Sequence, residues 1–392
     1  TLACRVMPND KIPQVLYAGN AALAQKMRDT LAWYQVKVHA APNIRPDIDQ
    51  EDLLPAQELL AQVVGKIRSR QLGGLGTLAS LASQVPLPAS HALGRIIRFL
   101  SEIYDPAKGV LGVDLGANWT VMAAGMRGSL AERVEPLGLG AGLNQVMKQF
   151  SLEEIMRWFS AQIPPSVVRD YLMQKTLTPD SLPISDESLQ IELGVARQIL
   201  RHVSQDLLES LPGVPMSFEP ILVGGAALCQ APNPETALLT LLDGLQPVGI
   251  TTLILDPYGL TPALGAAAGV NSLLPVQVFE SSAYLNLATV ISPFSQARYG
   301  TPVLRVILED DAGGRSTTEV KQGTLALLPL HHGQVGKVYL EPLRGTVIDP
   351  RRKQVNSFKI TGGVLGVVVD ARGRPLSLPA DAGRRRELLA KW

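Results

Sequence analysis

The sequence predicts an α/β protein that gives way, toward its C-terminal end, to an all-β barrel or sandwich. Three observations carry this prediction. From Gln14 to Leu274 short apolar runs alternate with stretches of helical spacing, the pattern of helices layered on a sheet. From about Pro275 the helical spacing stops, and strand-like runs recur between turns rich in Gly, Pro and Asp. Hydrophobic residues make up 46% of the 392 positions and charged residues 18%, which supplies packed cores and excludes global disorder.

Each element follows in order. Residues 14–18 read as a short buried strand ending at Gly19-Asn20, a helix covers 21–33, and 36–39 alternates like a second strand. Pro42 and Pro46 bracket a loop, 54–70 has helical spacing, and 72–90 reads as a loop or short broken helix. Residues 92–104 form a helix with Ile96, Ile97, Leu100 and Ile103 on one face. After Asp105-Pro106, residues 110–124 are strand-like on both sides of a bend at Ala117-Asn118, and 130–136 makes a third strand. Helices follow at 152–162, 167–174 and 187–211, then a buried strand at 219–225. A helix at 235–242, a strand at 251–256 and an Ala-rich helix at 262–274 complete this part. The β-rich part has runs at 284–291, 303–309, 324–328, 336–340, 357–360 and 365–369. The expected divisions are therefore 1–108, 109–275 and 276–392, and Arg384-Arg385-Arg386 lies on the solvated face of a terminal helix.

Charge and cysteine usage exclude several classes. Lys and Arg number 36 against 35 Asp and Glu, a formal net charge of +1, so no whole-chain field draws in nucleic acid or an anionic membrane. Cys4 and Cys229 form no metal or redox motif and suit a reducing cytoplasm. No apolar run reaches the ~18 residues of a membrane span, and no signal segment opens the chain. The chain starts at Thr1 in what reads as folded sequence, the mark of a fragment of a longer protein.

Two segments carry chemistry. Leu111-Gly112-Val113-Asp114-Leu115-Gly116-Ala117-Asn118-Trp119-Thr120 puts an acid near the end of a buried strand, followed by a glycine and a polar turn. Glycine there lets backbone N–H groups approach a phosphate. Asp114 can hold a hydrated Mg²⁺ or orient a water, and Asn118 and Thr120 can donate to phosphate oxygens. An ordinary hairpin whose Asp and Gly serve the turn is the plainer reading. Ile221-Leu222-Val223-Gly224-Gly225-Ala226-Ala227 runs an apolar strand into a Gly-Gly turn, where a flat ring such as adenine can lie against bare backbone. A tight strand-to-helix connection explains the same glycines.

Both segments together, with helices between them, are similar to the second half of the actin-like ATPase superfamily, which has a ribonuclease H-like fold. Tyr17-Ala18-Gly19-Asn20, Asn43-Ile44-Arg45-Pro46, Val113-Asp114-Leu115-Gly116, Val223-Gly224-Gly225 and Leu264-Gly265 resemble, in that order, the glutamate mutase accessory (L) protein family. Thr361-Gly362-Gly363-Val364-Leu365-Gly366 and Asp370-Ala371-Arg372-Gly373-Arg374-Pro375-Leu376 resemble the extended branch of that family with an added C-terminal domain. The resemblance implies an actin-like ATPase fold whose first phosphate-binding half lies upstream of Thr1. It also implies ATP or ADP with Mg²⁺ as cofactor, held by Asp114, Gly116, Asn118, Thr120, Gly224 and Gly225. The implied partner is an adenosylcobalamin-dependent mutase, served as a reactivating chaperone. Against the family hairpin Asp-x-Gly-Gly-Ala-Thr-Thr-Asp, Ala117 replaces the second glycine and Val121 the second aspartate, so the nucleotide site reads as degenerate. A non-enzymatic scaffold that kept the fold, and a small-molecule kinase, are the contrasting readings.

Other candidates read as structural. Gly138-Leu139-Gly140-Ala141-Gly142 follows no clear buried strand and lacks a Lys, so it is a loop leading into a helix. His331-His332 sits in a surface turn without ligands at metal spacing. The Asp370–Pro375 segment is expected to be a tight turn carrying solvent-exposed arginines.

Overall fold

A computed structural model describes residues 12–82, 85–349 and 357–392; Cys4 lies outside them. The chain divides into two compact units, Thr1–Ala92 and Leu93–Trp392. In the first, β1 (Val15–Tyr17) leads through α1 (Ala21–Ala32) to β2 (Val38–Ala40), followed by α2 (Leu54–Gln71) and α3 (Leu75–Leu81). The strands pair in parallel, Leu16 opposite His39, and Asn20 starts α1 by accepting a hydrogen bond from Ala22 N at 2.9 Å.

The division falls within α4 (Ala89–Ile103) rather than at residue 108. Its Leu93, Ile96, Ile97 and Leu100 are sealed against the sheet of the second unit, whereas Ile103, expected on that face, is 53% exposed. Each such burial contributes roughly 1.5–3 kcal/mol, which fixes the helix to the sheet. The second unit continues with β3 (Val110–Leu115), β4 (Thr120–Met126) and β5 (Ser129–Glu135). Helices α5 (Leu143–Gln149), α6 (Leu152–Met156), α7 (Pro165–Leu177) and α8 (Asp186–Glu209) come next. Ser151 starts α6 and Ser185 starts α8 through reciprocal capping with Glu154 and Ser188. Then follow β6 (Ile221–Gly224), α9 (Ala226–Cys229), α10 (Pro234–Leu245), β7 (Gly249–Leu255), α11 (Leu260–Ala267) and α12 (Leu273–Phe279). The last two replace the single Ala-rich helix expected there.

Beyond residue 283 come β8 (Leu285–Ser292), β9 (Pro302–Asp310), β10 (Arg315–Lys321), β11 (Leu325–Leu328), β12 (Val335–Pro342), β13 (Ser357–Thr361), β14 (Val367–Asp370) and α13 (Ala382–Lys391). The large sheet has the order β11-β14-β8-β7-β6-β3-β4-β5, with β3, β6 and β7 parallel at its centre. α4 covers one face of it; α8 and α10 supply the core on the other. The expected division at 275 marks a change of texture only: β8, β14 and β11 complete the large sheet. The remaining strands form an open antiparallel sheet, β10-β9-β12-β13, and not a closed barrel. Val306, Leu308 and Val338 of this sheet share one core with Ile250, Ile291 and Val369 of the large one, as the two layers of a sandwich do.

Candidate functional site

The site forms where β3 and β6 end together. The hairpin β3–β4 pairs Leu115 with Thr120, and β3 runs parallel to β6 with Asp114 opposite Gly224. The two glycine turns singled out from the sequence therefore meet at one sheet edge. Gly225 has φ +104°, and a Cβ there would lie 2.2 Å from Leu115 O, so only glycine allows the turn to cross the end of β3 so closely. Beside this edge opens a cavity of ≈ 580 Å³, lined by Gly116 and Ala117 of the hairpin and by Ala226 and Ala227 of α9.

Asp114 is half-buried and makes no side-chain hydrogen bond among the described residues. Burial, and then the neighbouring carboxylate of Asp256, hold its carboxyl above the ordinary range. Asp256, which sequence reasoning passed over, is fully occupied. It accepts Leu260 N at 2.9 Å, Thr261 N at 2.7 Å and Thr261 Oγ1 at 2.6 Å. Its signal was present: a third apolar strand ending in an acid with a glycine three residues on. An open carboxylate repelled by a satisfied one fits a cation that keeps its waters and phosphate ligands, as Mg²⁺ does. Among the described residues no group of three or more His, Cys, Asp or Glu can hold a metal alone. Cys229 lies nearby, its thiol pushed up to about 12 chiefly by burial, and donates to Val223 O at 3.4 Å, so it is an inert packing group.

The remaining site residues divide. Thr120 is completely buried and its hydroxyl donates to Leu137 O at 2.7 Å, which corrects its assignment as a phosphate donor. Asn118 is exposed at the hairpin tip, beside Trp119 at 53% exposure. The loop Gly138–Gly142 supports the hairpin from behind. Gly140 N and Gly142 N both donate to Ala117 O, at 2.8 and 3.0 Å, and Cβ atoms at 138, 140 or 142 would come within 3 Å of residues 116–118. These glycines serve backbone packing, and the Cβ of Ala117 lies against Gly140.

The cavity wall holds an ion pair that no motif announced. Lys175 of α7 and Glu192 of α8 meet at 2.6 Å, Tyr171 donates to the same Glu192 oxygen at 2.5 Å, and Lys175 also donates to Ser181 O. Single charged residues on two helices leave no trace in sequence spacing, and only the packing of α7 on α8 reveals them.

The Asp370 segment is also corrected. Arg372 and Arg374 are each 7% exposed, not solvated. Arg372 grips Asp370 with Nε and Nη2, both at 2.9 Å, and reaches Asp243 at 2.7 Å; Arg374 also donates to Asp370. His331 and His332 are exposed, as expected.

A family model described as MutL protein matches residues 3–283. The chain belongs to this family, the glutamate mutase L family. Among solved structures it is similar to component A of the Acidaminococcus fermentans (R)-2-hydroxyglutaryl-CoA dehydratase, at 14% identity over 50% of this chain and 71% of that one, TM-score 0.29. It is similar to the ethanolamine utilization protein EutJ of Carboxydothermus hydrogenoformans, at 17% identity over 63% and 73%, TM-score 0.26. The Clostridium difficile activator of 2-hydroxyisocaproyl-CoA dehydratase, solved with ADPNP, is 15% identical over 50% and 69%, TM-score 0.27. Likenesses of this size say nothing of ligand or activity. No curated protein matches the chain. Among the described residues no helix is long and apolar enough to cross a membrane.

Proposed function

We propose that this chain is the nucleotide-responsive accessory protein of an adenosylcobalamin-dependent mutase, acting as a cytoplasmic reactivating chaperone rather than as a vigorous ATPase. The observation that supports this reading best is the register of Asp114 on Gly224 beside the cavity. It brings an open carboxylate and two glycine turns to one sheet edge within a family defined by a mutase accessory component. ATP or ADP takes the cavity, with phosphates toward Gly116 and Asp114 and the nucleoside against the Gly224-Gly225 turn. When bound, Mg²⁺ neutralises the phosphates; Asp114 is the residue that would hold it, through water.

The hairpin offers little beyond that. Thr120 is turned inward, Ala117 carries a Cβ and Val121 binds no metal, so the donors that stabilise a transferring phosphoryl group are missing. Removing one such donor commonly costs ~10²–10³ in rate. Calorimetric titration of ADP and ATP with Mg²⁺ tests the reading. Binding that Gly225→Ala abolishes, with slow or absent turnover, is expected. A fast ATPase rate that disappears in Asp114→Ala would show that the hairpin is catalytic after all. The scaffold reading is favoured instead if neither nucleotide gives heat.

A further inference from the structure

A second cavity, of ≈ 410 Å³, lies on the large sheet near the start of β6 and is lined by none of the nucleotide-site residues. It owes its existence to alternation along β7. Leu253 and Leu255 are sealed in the main core, while Thr252 and Ile254 point the other way, into the cavity. β8 runs alongside with Thr289 opposite Thr252 and Asn286 opposite Ile254. The far wall is β13 of the small sheet.

The polar groups here are unusual for a space between two sheets. Glu219 is surrounded by protein on almost every side yet keeps accessible surface toward the cavity. Thr252 N and Thr252 Oγ1 donate to its two oxygens, both at 2.7 Å. Burial pushes its carboxyl above the ordinary range, against the Lys108 charge and those two bonds. Asn286 Nδ2 donates to Thr361 O at 3.3 Å, but Asn286 Oδ1 is buried without a partner among the described residues. A second carboxylate, Asp349, lies on the same wall, and Lys359 stands exposed on β13. Lys108, whose ammonium donates to Ile250 O at 3.4 Å and whose charge acts on Glu219, lines the cavity together with these acceptors, and Ile250, Ile254 and Phe358 supply apolar walls.

We propose that this cavity binds a small zwitterion of the free amino-acid class, its ammonium group donating to Glu219 and Asn286 Oδ1 and its carboxylate paired with Lys359. An ammonium group brings three donors, which matches the Glu219 carboxyl and the Asn286 amide oxygen. A bound donor recovers the hydrogen bond that this amide oxygen lacks among the described residues. Among the described residues no group of three or more His, Cys, Asp or Glu gathers here to hold a metal ion alone. The site also joins two parts of the chain. Glu219 and Thr252 lie within the family match, whereas Asn286, Thr289 and Lys359 lie beyond residue 283. The cavity depends on strands beyond the family match, so that segment would give this chain its small-molecule input.

The test is calorimetry or thermal shift on the full chain with the twenty amino acids at millimolar concentration, each beside its N-acetyl and carboxamide derivatives. At least one amino acid is expected to bind, with N-acetylation costing about tenfold or more and Glu219→Gln costing a similar factor. Lys359→Glu, on an exposed strand position that tolerates change, is expected to weaken binding several-fold and to reduce the penalty for the carboxamide. ADP binding should be unchanged in both variants, which separates this outcome from the fate of the nucleotide reading. Absence of binding across the panel, or binding indifferent to N-acetylation and to Lys359→Glu, would overturn the proposal.

Discussion

Two carboxylates below the surface of the second unit live in opposite surroundings. Asp370, at the end of β14, is completely buried, and burial alone would raise its carboxyl. Arg374 and Arg372 reverse that and hold it well below the usual carboxylate range. Asp114, near the end of β3, has no paired cation among the described residues, and burial, then the Asp256 carboxylate beside it, hold it above the range. The first group is finished within the chain. The second is left open, and among the described residues no side chain hydrogen-bonds to it. A buried charge that is fully paired organises the fold, while one left open beside a cavity marks a place for a ligand.

The sharpest way to break this contrast is at the finished cluster. Arg372→Ala leaves Asp370 and Asp243 each short of a donor, and unfolding in urea should show a loss of about 3–5 kcal/mol. A loss under 1 kcal/mol would mean the cluster is ornamental. A third carboxylate refines the comparison. Glu132 of β5 packs against Gly94 of α4, its Oε1 buried and without a partner among the described residues, and burial raises its carboxyl to about 7 from 4.5. Because the folded value lies above the unfolded one, the unfolded chain sheds this proton first. Stability therefore falls as pH rises from 4.5 toward 7, by on the order of 3 kcal/mol, and stays reduced above it. Glu132→Gln should flatten that part of a Tm-versus-pH curve; an unchanged slope would assign the dependence elsewhere.

A smaller effect is expected at the chain's last residue. The Trp392 ring lies 4.8 Å from the Arg372 guanidinium carbon, and its indole N–H donates to Gly323 O at 3.0 Å. Trp392→Ala should cost about 1–2 kcal/mol, measurable by the same urea titration, and should leave the nucleotide site untouched. Smallest of all, Asp114→Asn removes a repulsion with Asp256 and should leave stability level or slightly higher. A marked destabilisation would show that Asp114 serves the fold after all.

Much of this was legible in the sequence, and the failures have causes. The hairpin 110–124, the strand at 221–224 and their meeting at one edge followed from apolar runs ending in glycine. β10 escaped notice because Arg-Ser-Thr-Thr-Glu-Val-Lys buries only Val320 at a sheet edge, so no alternation of apolar residues shows. Thr120 was read as a phosphate donor because a hydroxyl after a turn has no visible facing; its register opposite Leu115 turns it inward. Sequence alone leaves Arg372 and Arg374 in solvent because Asp243 of α10, which Arg372 reaches, and Pro247 O, which accepts from Arg374, lie far away along the chain. The joining of β8, β14 and β11 to the large sheet was hidden for the same reason, since long-range pairing leaves no local mark.

The most direct test of the account is the Mg²⁺ dependence of ADP affinity, measured by calorimetry in the wild-type chain and in Asp114→Asn. If Asp114 is the open end of a cation site, Mg²⁺ tightens ADP binding in the wild type, and that gain vanishes in the variant while metal-free affinity stays level or improves. Equal Mg²⁺ dependence in the two proteins would contradict it.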